Sequence, residues 1–487
     1  MKPWRISWQE RSPDRLKKGR LFTVFLVVLV DLIGFGIVLP LLPFYAGEFG
    51  ANPVAIGLLY SVFSFAQLIF SPVWGSLSDR IGRRPVMLLS TFGAVIAYII
   101  FGLAGSLTVL FLSRAVAGVM GGNIATAQAY IADVTTDKDR ARGMGLIGAA
   151  FGIGFVMGPA IATGLIHPGF HDLIAGTGLN EFAAWMQANK FALPGFFAAG
   201  LSLLSFILVW FLLEETVETG TTITLQQPPV PSLTEPVYKR YSVFSPTFWK
   251  TLVPDNTAGG GFFGLLLLSI FLLSFGQASL YSAFPLFCEE VLGMGAEQVG
   301  VQFFYIGLIA VVVQGGLIKY ITRWFAEERV FLVGNILMTA GMALIAWSGT
   351  ISMLTLFIGI MALGHSLNLP TVHSLISKEA DPSRMGAMMG TAQGLSGLGR
   401  TIGPTWGGLL FGFGAGLPFI LTSAILIITI WVGLRMWNRG SNPGSNPGSN
   451  PGAIMGANTG AIRNPDGITS PGRASTTDRP GKPDMAN

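Results

Sequence analysis

Charge is scarce in this sequence. Asp, Glu, Lys and Arg together make up 11% of 487 residues, while apolar types reach 51% and mean hydropathy is +0.59. A water-soluble fold could not easily solvate such a surface, so the chain belongs in a bilayer. Cysteine is almost missing. Cys288 alone excludes an internal disulfide and any thiolate metal cluster, and it reads as a small lipid- or helix-facing side chain. No cofactor is expected.

What is present is a series of long apolar stretches. A hydrocarbon core about 30 Å thick takes roughly 20 apolar residues per helical crossing. Twelve windows meet this, near 21–43, 54–74, 86–104, 107–131, 143–166, 191–213, 262–288, 296–318, 330–348, 351–376, 386–412 and 416–437. The first is too long for a signal-peptide core, carries Asp31 and lacks a small-residue cleavage pattern, so it reads as a retained span.

Cations are nearly absent from alternate connections, where only Lys190 is found. The remaining loops are rich in them: Lys2, Arg5, Arg11, Arg15, Lys17, Lys18 and Arg20 before the first span, then Arg80, Arg83, Arg84, Lys138, Arg140, Arg142, Lys239, Arg240, Lys250, Lys319, Arg323, Arg329, Lys378 and Arg384. Positive loops are retained in the cytoplasm, so both termini are expected there, in a multi-pass protein of the cell (inner) membrane. The net charge of +5 then reflects topology and anionic lipid, and nucleic acid is not expected as a partner.

The expected organisation is all-α: a basic N-terminus (1–20), a first six-helix bundle (21–213), a polar cytoplasmic linker (214–261), a second six-helix bundle (262–437), and a tail (438–487) whose Ser-Asn-Pro-Gly repeat predicts disorder. Sliding the first bundle onto the second by 245 residues aligns Asn123 with Asn368, Thr126 with Thr371, Gly145 with Gly390, and Gly152, Gly154, Gly158 and Pro159 with Gly397, Gly399, Gly403 and Pro404. Duplication of a six-helix unit explains this. Such repeats place a substrate cavity between the halves, near the midplane, and work by alternating access.

The stretch GSLSDRIGRRPVML, residues 75–88, interrupts the apolar pattern between the second and third windows. Gly82 permits a tight turn there, and cations alone would satisfy the orientation rule, so the acid Asp79 within the basic run argues for more than anchoring. The pattern Gly75, Leu77, Asp79, Arg80, Gly82, Arg83, Arg84 closely resembles the signature of the major facilitator superfamily. The resemblance implies twelve helices in two pseudo-symmetric bundles, and assigns Gly75, Asp79, Arg80, Gly82, Arg83 and Arg84, with Asp133, to a gate that locks the cytoplasmic ends of the halves together in the outward-facing state. The equivalent segment of the second half, GGLIKYITRWFAEERV, retains only scattered charges.

A second resemblance lies in GAAFGIGFVMGPAIATGL, residues 148–165, similar to the glycine-rich antiporter helix that ends in Gly-Pro. Gly152, Gly154, Gly158 and Pro159 are expected to form a smooth, kinked face on which the other half packs. DLIGFGIVLPLLPFY (31–45) and SRAVAGVMGGNIATAQAYIAD (113–133) resemble the drug:proton antiporters, tetracycline efflux proteins most of all. Those exporters carry further acids in spans three and nine, which this chain lacks, so tetracycline itself is not favoured as substrate.

Charge inside a bilayer is costly enough that each instance is a functional hypothesis. Asp31, Arg114 and Arg400 qualify. At about 1.5 Å per residue, Asp31 and Arg114 fall at similar depth, and two roles stay open: an ion pair that pins the first span to the fourth, or a switch in which a changing separation makes Asp31 take up or release a proton. The antiporter resemblance supports the second. Arg400 stands where the repeat has Phe155, and three roles are open: binding an anionic group of the substrate, pairing with Asp31, or snorkelling. Asn123, Gln128, Gln277, His365 and Asn368 are further candidates for the cavity wall; Gln67, His373, Gln302, Gln314 and Gln393 complete the polar set.

The expected function is proton-coupled export of small amphiphilic organic compounds by a monomer, with substrate, protons and lipid as its partners. Import or facilitated diffusion of a sugar or organic anion is the alternative, disfavoured because the sugar porters' Pro-Glu-Ser-Pro-Arg is replaced by LLEETVETG after span six. An enzyme is not expected. His167, His171 and Asp172 have a spacing that could bind metal on a helix, but Pro168 and Gly169 intervene, so a solvated loop is predicted.

Overall fold

The computed structural model describes residues 13–135, 137–216, 260–379 and 385–440. Most of the expected linker, the tail beyond residue 440, and the cations Lys2, Arg5, Arg11, Lys239, Arg240, Lys250 and Arg384 lie outside the described residues. Within them every regular element is helical. Lipid gives unpaired backbone groups no partners, so a helix, which pairs them within itself, is the form a lone crossing segment must take.

Each predicted window is occupied by helix: Pro13–Glu48, Pro53–Ile81, Arg83–Gly102, Leu107–Met120 continued by Asn123–Val134, Asp137–Ile166, Ala192–Leu212, Gly260–Leu292, Ala296–Val312 continued to Trp324, Glu327–Ile345, Ile351–Glu379, Met385–Phe411 and Leu417–Gly440. These are spans one to twelve. Eleven of them are apolar and long enough to cross a membrane unaided. Span eleven, MGAMMGTAQGLSGLGRTIGPTWGGLLF, is as long but rich in glycine and polar residues, and it is flanked by protein, with span seven on one side and span two on another.

Span four breaks at Gly121–Gly122, which the hydrophobic pattern did not predict. A Cβ on Gly122 would come within 2.6 Å of the Cβ of Trp74 on span two, and the Trp74 indole donates to the Val119 carbonyl at 2.5 Å. The break therefore trades internal helix bonds for a bond from a neighbouring span. Span eight has a π-helical turn over Val313–Leu317, at the sequence VQGGL.

The segment after span five corrects the prediction of a solvated loop. Pro168–Gly176 and Asn180–Ala188 are short helices. Proline is favoured at a first helical position, and the His167 ring caps the first helix by accepting from the Gly169 amide at 2.9 Å. His171 is buried, bonded to the Leu165 carbonyl at 2.9 Å, and among the described residues no metal-ligating cluster forms.

Small residues set the closest helix contacts. A Cβ on Gly158 would lie 2.5 Å from the Cα of Gly36, and one on Gly154 would lie 2.6 Å from the Cβ of Leu32, so span five rests on span one of its own bundle. Gly399 and Gly403 meet the backbone of span seven, at Phe271 and Phe275, in the same way. The two bundles thus repeat one packing device. The expectation that the span-five glycines chiefly face the other half is corrected: only Gly152 does so, near Val311, and the tight contacts to span eight are made by that span's own Gly300 and Gly307, which meet Thr163 and Phe155.

The bundles close on each other at the end away from residues 75–84. There Gly57 lies against the Pro404 carbonyl and Gly408 against the Pro53 carbonyl. The Ser61 and Thr405 hydroxyls are 2.7 Å apart, and His167 Nε2 is 3.4 Å from Glu297 Oε1.

Candidate functional site

Between the bundles lies a cavity of about 1300 Å³, larger than the 300–1,000 Å³ typical of small-molecule sites. Its wall runs from Leu39, Tyr60 and Pro404 beside the closed end to Ser71, Gly75 and Gly390 beside the 75–84 loop, so it opens at the loop end. Most of that wall is apolar. Phe35 forms the centre of an aromatic patch, 5.2 Å from Phe63 and 6.0 Å from Phe155 between ring centroids.

All three intramembrane charges are in this wall. Asp31 is presented by span one, with Ser205 of span six beside it. Its Oδ1 is buried with no hydrogen-bond partner, and no ion pair to Arg114 or Arg400 forms. The pinning pair between spans one and four is thus absent from this conformation. Arg114 instead stacks on aromatic rings, its guanidinium carbon 5.0 Å from the Phe101 centroid and 5.9 Å from that of Tyr98, and donates to Ser113 at 3.1 Å. Cation–π contact holds the charge where no carboxylate does. Tyr98 lines the cavity with Asp31 and Arg114 and carries the Arg114 guanidinium over its ring, a contact that sequence reasoning missed.

In the second bundle, Arg400 donates to Ser396 one turn earlier at 2.8 Å, and Ser396 lies 2.8 Å from Ser274 of span seven. Gln277 donates to the Tyr281 hydroxyl at 3.4 Å. Arg400, Ser274, Ser396, Gln277 and Tyr281 all line the cavity, as do Asn123, Gln128, His365, Gln67 and Gln393. Asn368 does not. It is buried between spans nine and ten, donating to Asn335 at 3.2 Å, with Gly334 against it. The repeat aligns it with Asn123, but the glycine on span nine draws its side chain into the bundle. Gln302 likewise bonds Thr355 at 3.1 Å as an interhelical tie.

At the open end the 75–84 residues form one network. Gly82 has φ +103°, a conformation that favours glycine. The turn points Arg83 inward, where it is buried and donates to Asp79 at 2.5 Å, Ser78 at 2.7 Å and Asp133 at 2.9 Å. Arg84 donates to the Trp210 carbonyl at 2.6 Å, while Arg80 is exposed and Gly75 has open space around it. Glu215, just after span six, accepts from the Arg83 and Arg84 amides at 2.8 and 3.1 Å. A carboxylate on the first amides of a helix both caps it and complements its dipole. Thr216 donates to Asp133 at 3.1 Å, and Arg20 pairs with Glu214. The doubled acid in LLEET was the available signal for this clasp.

Known proteins resemble this chain in sequence and in fold. The tetracycline resistance protein, class E, of Escherichia coli is 29% identical over 407 residues, covering 80% of this chain and 90% of that protein. Multidrug resistance protein 1 of Bacillus subtilis is 27% identical over 416 residues, covering 85% and 95%. The crystal structure of the human organic anion transporter MFSD10 (TETRAN) superposes with a TM-score of 0.60 at 23% identity, covering 86% of this chain and 99% of that one. The model of the Major Facilitator Superfamily matches residues 24–327 and 321–470. Twelve helices, a cavity between two bundles and that match leave one conclusion: the chain is a multi-pass membrane transporter of the Major Facilitator Superfamily and not an enzyme.

Proposed function

We propose that this protein exports small amphiphilic organic compounds across the inner membrane in exchange for protons, by rocking its two six-helix bundles (21–213 and 262–437) about the central cavity. The observation that carries the reading is Asp31, a carboxylate in the cavity wall with a buried, unpartnered oxygen and no ion pair. An uncompensated charge there is costly. The cavity reaches it from one end only, so a proton on Asp31 exchanges with one side of the membrane at a time. Arg114 sits on a different span, and a rocking motion that changes its separation from Asp31 changes the cost of that charge. Proton binding and bundle position are then coupled.

Several features support the rest. The cationic connections face the cavity's open end, which supports a cytoplasmic position for that end and for both termini, where an exporter loads its cargo. Apolar and aromatic walls suit an amphiphile, and two of the relatives are named for resistance to tetracycline and to multiple drugs. A single chain carries the complete cavity, so a monomer suffices. The signature loop is the cytoplasmic gate: Asp79 is 64% exposed and available to the second bundle when that end closes.

The test is Asp31→Asn in proteoliposomes with an imposed pH gradient, with substrate movement and internal pH followed together. Substrate-driven proton flux is expected to vanish while the protein purifies as a folded monomer. Wild-type proton flux in this variant overturns the proton role of Asp31.

A further inference from the structure

Arg400 is a cation in the cavity wall with no ion pair among the described residues. Its one hydrogen bond is to a neutral hydroxyl, Ser396 Oγ, one turn away on the same span. The groups around it are arranged as donors. Ser396 accepts from Arg400 and shares a single hydrogen bond with Ser274 in which either hydroxyl can donate, so one hydroxyl hydrogen of the pair stays free. Tyr281 accepts from Gln277, which leaves its phenolic hydrogen free, and it lines the cavity together with Arg400. A guanidinium fork with free N–H groups and two hydroxyl hydrogens therefore share one region of the wall.

From this geometry we infer that the second bundle holds an anion seat, and that the transported compounds include amphiphilic organic monoanions of the carboxylate type. The planar guanidinium fork matches a carboxylate, the Tyr281 hydroxyl and the Ser274–Ser396 pair complete its shell, and the Phe35, Phe63 and Phe155 patch across the cavity takes the apolar body. Asp31 belongs to the opposite bundle and forms no pair with Arg400, so seating the anion and carrying the proton are separate tasks. The inference rests on the cavity being the transport site, and it does not depend on proton coupling.

The experiment is equilibrium binding to the purified full-length protein in a neutral detergent at pH 7.5, with no gradient. The probes are 1-naphthaleneacetate and 4-tert-butylbenzoate, each beside its uncharged primary amide. A charge-assisted, two-pronged contact makes each acid bind at least about tenfold more tightly than its amide. Arg400→Gln removes that preference and changes amide binding less than about twofold, whereas Arg400→Lys keeps part of it. Tyr281→Phe lowers acid binding about threefold or more without touching the amide; it serves as the decisive variant should Arg400→Gln not fold. Equal wild-type affinity for acid and amide overturns the anion seat, and so does an equal loss of both in Arg400→Gln. Because no gradient is present, failure of the Asp31 reading leaves this result unmoved, and the reverse also holds.

Discussion

Two arginines of the signature loop, three residues apart, do unlike work. Arg80 is exposed, and Arg83 is buried with three side-chain acceptors around one guanidinium: Asp79 at 2.5 Å, Ser78 at 2.7 Å and Asp133 at 2.9 Å. Its Nε serves Asp133 while Nη1 serves Asp79 and Ser78, a division that an ammonium on a flexible stem does not reproduce. Arg83→Lys is therefore expected to cut the initial transport rate about tenfold, a loss of roughly 1.4 kcal/mol in the conformational step. Arg80→Lys should stay within about twofold. Initial rates in proteoliposomes at matched protein density check the contrast, and similar losses in both variants contradict it. Glu215→Ala removes the carboxylate from the Arg83 and Arg84 amides and should cost about 1 kcal/mol of stability, read as a lower Tm in detergent. The motif spacing carried the network around Arg83, because charged residues in a short loop between apolar helices have few places to go. Glu215 was overlooked, because its only mark was the doubled acid after span six and it reaches that network from a position 132 residues later in the chain.

Among elements, the long apolar windows marked every span, though several helices run past their window at one end or both, since length and hydropathy are the property the bilayer itself selects. What those windows could not show is how each helix turns. Asn123 and Asn368 are equivalent by repeat, yet one lines the cavity and the other bonds Asn335 inside its bundle. Ser274, Tyr98 and Tyr281 look like ordinary filler in an apolar helix until packing reveals which face meets the cavity. Glycine spacing was more informative than polarity: Gly154 and Gly158 mark the contact line of span five, although on span one and not across the bundle interface. Gly158→Ala should accordingly be destabilising. Its new methyl would meet backbone, 2.5 Å from the Gly36 Cα, and overpacking of this kind costs about 1–3 kcal/mol. Gly164→Ala on the same helix has open space around it and should not lower stability. Paired thermal melts of the two variants in detergent decide whether contact or mere glycine loss is responsible.

For the whole molecule, the cavity opens at the loop end because the opposite end is sealed by backbone contact. Gly57 of span two lies on the Pro404 carbonyl, with the Thr405 Cα 3.0 Å from a Cβ placed there, and Gly408 of span eleven lies on Pro53. Backbone cannot rotate away as a side chain can, so Gly57→Ala must push spans two and eleven apart at that end. The penalty falls only on the conformation in which the seal is made. At about 1–3 kcal/mol, it shifts a two-state equilibrium roughly 5- to 150-fold toward the state open at the sealed end. The chain suits a thiol test, since its one cysteine, Cys288, is buried. A Ser71→Cys reporter in the cavity wall beside the loop should react with a membrane-impermeant maleimide applied from the loop side of the membrane, and adding Gly57→Ala should slow that reaction at least about fivefold. A reporter at Ser61, which the seal buries against Thr405, should become faster to label from the opposite side in the same background. If both rates stay unchanged, the sealed end is not what holds the molecule in this conformation, and alternation by rocking about these glycines is wrong.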